Sequence, residues 1–189
     1  MKIAVEHLGL LCLNVDATAK ILSTLGYHRE KTKSFLEEGT KEIYIGSENC
    51  EGRLLLMEAI SEGPYKLALE KRGPGLHHIA IGVEDLLKFI KKIAYSGWFL
   101  HPACLSAVQE KSTAWLVRPM LPLIEVSEKQ KNCDKETKLI TEIFLPEINF
   151  NGKLFSEIGL DVVKKSQDKN SFIMFGSRKF NLKDLATSL

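Results

Sequence analysis

Gly73-Pro74-Gly75-Leu76-His77-His78-Ile79-Ala80-Ile81-Gly82-Val83 is where the reading of this chain begins. A Gly/Pro turn feeds a short apolar run, the pattern of a strand entered abruptly from a loop. Side chains alternate across a strand, so His78, Ala80 and Gly82 are expected on one face and His77, Ile79 and Ile81 on the other. The small residues beside His78 leave a hollow in front of its imidazole, whereas the opposite face is bulky and suits a core. On this alternation His77 is structural and turned away from the hollow. A histidine aimed into a hollow is a candidate ligand, and it needs partners in similar settings elsewhere.

Working outward, the same order of patterns stands before and after this stretch. Residues 3–13 are apolar with interruptions at Glu6 and His7, and read as the first strand; His7, Gly9 and Leu11 share a face, again a histidine followed two residues later by glycine. Asn14 or Asp16 is placed to cap a helix running to Leu25, with Ile21, Leu22 and Leu25 as its apolar stripe and Gly26 at the left-handed C-cap position. Strands are expected near residues 27–33, 41–46 and 53–59, then a helix over 64–71. After the quoted stretch comes a helix over 84–96, where Leu86, Phe89, Ile90 and Ile93 fall at helical spacing and Gly97 stops it. Strands near 98–102, 114–118 and 121–126 close the series. The fold class is therefore α+β, built of two βαβββ modules, residues 1–72 and 73–127.

Residues 127–137 (Ser-Glu-Lys-Gln-Lys-Asn-Cys-Asp-Lys-Glu-Thr) are polar and charged and read as an exposed linker. Beyond it, strands are expected at 139–145, 160–165 and 171–175, with a short helix over 154–158. Ser156-Glu157-Ile158-Gly159-Leu160 echoes Ser23-Thr24-Leu25-Gly26-Tyr27. Residues 138–189 thus read as an abbreviated third βαββ module, whose missing partner points to a homodimer or to packing over the sheet edge.

Composition narrows the functional classes. A formal net charge of +2 over 189 residues gives no reason to expect nucleic acid, whose binders carry a clustered basic face. Cys12, Cys50, Cys104 and Cys133 are scattered without the paired spacing of a zinc site, and three of them lie in or near apolar runs, which favours free thiols in a reducing compartment. The start of the chain, Met1-Lys2-Ile3-Ala4-Val5-Glu6-His7, sets a carboxylate and an imidazole where a signal peptide needs an apolar segment. No run of about 18 apolar residues is present, so no membrane span is expected. A cytoplasmic location is the expectation.

The arrangement resembles the vicinal oxygen chelate superfamily, whose paired βαβββ modules form a curved mixed sheet around a cavity that holds a divalent metal. Within it, Leu69-Glu70-Lys71-Arg72-Gly73-Pro74-Gly75-Leu76-His77-His78-Ile79-Ala80 is similar to the helix–turn–strand segment of the methylmalonyl-CoA epimerases. By position, that resemblance implies metal ligands at His7 in Val5-Glu6-His7-Leu8-Gly9, at His78, and at Glu125 in Leu123-Ile124-Glu125-Val126. It puts the acid/base glutamate at Glu42, making Glu42 and Glu125 the catalytic carboxylates. The implied cofactor is one divalent ion (Co, Mn, Ni, Zn or iron(II)), and the implied partner is a small acyl or thioester substrate. Arg53, Lys71 and Arg72 are loop cations that such a thioester would meet. The fourth ligand position of the superfamily falls on Leu55, which cannot coordinate.

Three ligands are chemically sufficient. Two neutral imidazoles and one carboxylate leave a divalent cation with net positive charge and open positions. A carbonyl bound there is polarised, the enolate formed on loss of an α-proton is stabilised, and a nearby carboxylate can move that proton. The same three ligands also suit the iron(II) extradiol-type dioxygenases of this superfamily, and its antibiotic-binding members keep the fold without a metal. A decayed site is the competing reading, supported by Leu55, by the compact Arg118-Pro119-Met120-Leu121-Pro122 connection, and by a third segment placed to cover the cavity. Against decay stand three ligand-type residues far apart in the chain, one of them a carboxylate whose unpaired burial would cost several kcal/mol. His28 and His101 read as turn or surface residues.

Overall fold

The computed structural model describes residues 3–110, 113–128 and 137–189. Most of the charged linker, including Cys133, lies outside the described residues. The first unit runs β1 (Ala4–Leu11), α1 (Val15–Thr24), β2 (Lys33–Phe35), β3 (Thr40–Ile45), β4 (Cys50–Glu51) and β5 (Arg53–Ala59). Helix α2 (Pro64–Arg72) leads to the second unit: β6 (Gly75–Val83), α3 (Leu86–Ile93), β7 (Phe99–Leu100), α4 (Leu105–Gln109), β8 (Thr113–Val117) and β9 (Leu123–Glu128). The C-terminal segment adds β10 (Thr137–Lys138), β11 (Ile140–Leu145), α5 (Gly152–Glu157), β12 (Val163–Lys165), β13 (Phe172–Phe175), β14 (Arg178–Asn181) and α6 (Leu182–Ala186).

Eight strands form one mixed sheet in the order β2-β3-β5-β1-β6-β9-β8-β7. In each unit the first strand lies parallel to the last, β1 beside β5 and β6 beside β9, and the two units join through the antiparallel pair β1–β6. The paired βαβββ architecture is thus present as expected, in a curved sheet that does not close into a barrel. The repeat extends to the helix starts. Asn14 and Asp85 accept from the amides of Ala17 and Lys88, and Glu58 and Glu128, each in or beside the last strand's end, accept from the first helical amides at Val15 and Leu86. A carboxylate on an orphan amide at the positive end of the helix dipole stabilises both helices in the same way.

Alternation explains which face is core. Leu8, Leu10, Leu54, Leu56, Ile79, Ile81, Ile124 and Val126 all point to the side bearing α1 and α3, where they are almost wholly buried. Each such side chain contributes about 1.5–3 kcal/mol when fully buried. The C-terminal segment packs into that same core through Ile143, Phe155, Ile173 and Leu185, and Leu13 and Thr18 donate to the carbonyls of Ala186 and Leu185. It therefore packs against the helix-bearing side, and at the end of the sheet Leu182 and Lys183 come beside Leu11 and His77. Its own sheet runs β12-β11-β13-β14, so β11 lies between β12 and β13 and not beside the last strand, whereas β1 and β6 each sit next to the last strand of their unit.

Several local expectations shift. Residues 27–32 make only an isolated bridge at Arg29, and the strand there is three residues at Lys33–Phe35. Ser127 and Glu128 belong to β9 and not to a linker. Helices α4 and α6 and strand β14 were not foreseen, since five-residue helices show too little periodicity to read.

Candidate metal centre

Three adjacent strands carry the candidate ligands. Ala80 on β6 is the cross-strand partner of His7 on β1 and of Glu125 on β9, while His78 is the partner of Gly9. Residues directly opposite share a face, so His7, His78 and Glu125 rise on the same side around the small Ala80. Gly9 is required by space: a Cβ there would stand 2.2 Å from Cε1 of His78. The glycine two residues after His7 is therefore the recess into which the second imidazole fits.

The three groups converge. The Nε2 atoms of His7 and His78 are 3.0 Å apart, and Oε2 of Glu125 lies 3.7 Å from the first and 3.5 Å from the second. For bonds of about 2.1 Å, ligand atoms around one first-row cation are separated by about 3.0 Å in cis-octahedral and 3.4 Å in tetrahedral geometry. The triangle fits such an ion. It fits an ion pair poorly, because burial first, and then the charges of His7 and His77, push His78 well below its ordinary pKa and keep it neutral. Burial likewise raises Glu125 to about 7, helped by Glu6, Glu38 and Glu42. A neutral His78, a second imidazole and a crowded carboxylate form a donor set that a divalent cation would relieve.

His77 corrects the alternation. β6 has an extra residue between the pairs Gly9–His78 and Leu10–Leu76, and that residue is His77. A bulge puts two successive side chains on one side, so His77 lies beside His78, Nδ1 to Nδ1 at 2.9 Å, with the Tyr65 ring centroid 5.2 Å away. A neutral imidazole that ligates through Nε2 carries its proton on Nδ1, and here that proton has an acceptor in His77. A second bulge, between Val5 and His7, turns Glu6 to the same side, where Ser127 Oγ donates to its Oε2 at 2.9 Å. Sequence reading passed over Glu6; its one signal is a carboxylate beside His7 in an otherwise apolar strand. Trp115 and Tyr44, also unforeseen, set their rings edge-on to His78 at 5.2 Å and to His7 at 5.6 Å and limit the tilt of the imidazoles.

The remaining candidates fall as follows. Glu42 on β3 is half-buried on the ligand face, two strands from β1; burial raises its pKa against the opposing hydrogen bond from Thr40 Oγ1 at 3.1 Å. Leu55 is 5% exposed and packs with Leu11, Met57 and Ala68, so hydrocarbon occupies the position between Tyr44 and Gly9. Arg53 is not a loop cation: it lies in β5, paired with Glu30 at 2.7 Å and stacked on Tyr44 at 4.0 Å. Lys71 and Arg72 end α2 and are exposed. His28 is exposed, and His101 accepts from the amide of Ala103.

Comparisons with known proteins agree with this architecture. Residues 6–113 match the family model described as the Glyoxalase/Bleomycin resistance protein/Dioxygenase superfamily. No curated protein matches. A hypothetical protein from Bacillus halodurans C-125 superposes with TM-score 0.55 at 22% identity over 70% of this chain and 98% of its own. A methylmalonyl-CoA epimerase in complex with methylmalonyl-CoA and NH4+ gives 0.54 at 21% identity over 69% and 97%. Methylmalonyl-CoA epimerase from Mycobacterium tuberculosis gives 0.51 at 20% identity over 67% and 88%. At these identities the likeness is one of fold. Among the described residues no helix is long and apolar enough to cross a membrane.

Proposed function

The chain belongs to the Glyoxalase/Bleomycin resistance protein/Dioxygenase superfamily, and on that premise we propose that it is a metal-dependent epimerase or isomerase acting on an acyl thioester. The observation that carries the proposal is the convergence of His7, His78 and Glu125, whose ligating atoms lie within 4.8 Å of one another. A divalent cation held there would polarise the acyl carbonyl and stabilise the charge left when the α-proton departs. The side chains do the rest. Gly9 gives His78 the recess that sets its imidazole beside His7, and the rings of Tyr44 and Trp115 flank the two histidines. Glu42, its basicity raised by burial, takes the α-proton on one side, and inversion follows when a second acid returns a proton to the enolate on the opposite face. His77 keeps the His78 proton on Nδ1 so that Nε2 stays free to bind. Structural neighbours that are epimerases of a coenzyme A thioester support the substrate class.

Metal content of untagged protein, followed by exchange of solvent deuterium into the α-position of short acyl-CoA thioesters, tests this reading. Exchange should require a divalent metal and should fall at least 100-fold in Glu42→Gln with metal content unchanged. Exchange undiminished in that variant removes Glu42 from the mechanism. Tight iron(II) with oxygen uptake on a catechol or keto acid would replace the epimerase reading with a dioxygenase, which the same facial set of two histidines and a carboxylate suits.

A further inference from the structure

Away from the three-ligand centre, a cavity of about 660 Å³ opens where the turn into β6 meets the C-terminal segment. One wall is the end of α2 with Gly73–His77 and the 120–122 turn. The other is supplied by residues from Leu145 onward, whereas the family match ends at residue 113. The volume is that of a site for a small organic molecule. Leu11, Leu76, Leu121 and Leu182 give it hydrocarbon walls, and Asn149 and Ser171 add polar atoms. Three cations, Arg72, Lys169 and Lys183, border it, and no carboxylate does.

Those cations have no carboxylate partner among the described residues. Arg29, Lys41, Lys165 and Lys179 each reach an Asp or Glu within 4.0 Å, but Arg72, Lys169 and Lys183 make no such pair among the described residues. Three like charges drawn from α2, from the turn before β13 and from α6 are brought to one rim only by the fold. No carboxylate lines the cavity beside them, so an anion at that rim meets positive charge from three separate elements. We propose that this cavity binds an amphipathic organic anion, its hydrocarbon body against Leu11, Leu76 and Leu121 and its carboxylate or phosphate head at Arg72, Lys169 and Lys183. The site shares His77 with the metal centre but none of the three ligands, so it stands whether or not the proposed reaction is correct.

Titration calorimetry on the full chain after chelation of metals tests it, with octanoate and octyl phosphate as probes and octanol and inorganic phosphate as controls. At least one octyl anion should bind one to one, at least tenfold more tightly than octanol or inorganic phosphate, and the tighter of the two names the head group. Lys169→Glu combined with Lys183→Glu, both at exposed positions, should weaken that anion at least tenfold, and Arg72→Gln by a smaller factor. Glu125→Gln, which empties the metal centre of its carboxylate, should leave binding unchanged. Octanol binding as tightly as the anions, an unaltered affinity in the double variant, no binding of either anion, or loss of binding in Glu125→Gln would each overturn the proposal.

Discussion

Glu125→Gln separates the charge of the carboxylate from its volume. In the metal-free protein burial, with Glu6, Glu38 and Glu42, holds this carboxyl at about 7 against an ordinary value of 4.5. For an acid, a folded value above the unfolded one means that folding favours the protonated form. Glu125 therefore costs nothing below pH 4.5, its cost grows as the pH rises towards 7, and it stays constant above that. The displacement corresponds to about 3 kcal/mol at most. With the side chain 24% exposed, solvent screening brings the expected cost to about 1–3 kcal/mol.

In chelator at pH 8 the glutamine variant should accordingly be the more stable protein, by about 1–3 kcal/mol or several degrees in melting temperature. At pH 4.5 the two should coincide. A divalent metal reverses the order. Wild type gains about 2.7 kcal/mol at a free metal concentration one hundred times Kd, and the variant, lacking the anionic ligand, gains little. Thermal melts at both pH values, with chelator and with cobalt(II) or manganese(II), give the four numbers required. A variant less stable than wild type in chelator at pH 8, or an equal gain from metal in both proteins, would refute the argument that this carboxylate is held against its own electrostatics for a cation.

Gly9→Ala puts a methyl group 2.2 Å from Cε1 of His78, so the ring must leave its recess; stability should fall by about 1–3 kcal/mol and metal affinity at least tenfold, read by calorimetric titration. Leu55→Gln buries an amide beside Tyr44 and Met57 and should cost about 1–3 kcal/mol without metal, with part of the loss recovered in its presence as the amide oxygen supplies a fourth ligand. Identical losses with and without metal would show that this side chain does not reach the ion. Trp98→Phe removes the Nε1–H that donates to the Leu154 carbonyl at 3.0 Å and should cost about 1–2 kcal/mol in urea unfolding. No loss would mean that the C-terminal segment does not depend on that bond for its docking.

Much of the architecture is legible in the chain because its cues are local. Asn14 before an apolar stripe is visible in a few consecutive residues, and in the structure it caps α1. The strand expected near residues 53–59 stands at Arg53–Ala59, a short apolar run bounded by Gly52. The C-terminal segment was harder. Its placement on the helix-bearing face depends on Thr18 meeting Leu185 and on Trp98 meeting Leu154, contacts 167 and 56 residues apart that leave no periodic trace.

The candidate site divides along the same line. His7, His78 and Glu125 are grouped by the resemblance to the superfamily, and the strand pairing that sets Ala80 opposite both His7 and Glu125 agrees with it. Alternation fails at Glu6 and His77, since a bulge belongs to a pair of strands: β1 carries one extra residue against β6 at the first point, and β6 one against β1 at the second. Each bulge sits immediately before a candidate ligand and adds one polar side chain to the ligand face, a carboxylate next to His7 and an imidazole next to His78. Removing a bulge by deletion would not trim a loop. It would slip one of the two central strands by a residue, send one of those histidines into the core, and with it break the triangle. The irregular register is thus the means by which two regular strands present four polar groups, rather than two, to the same small volume.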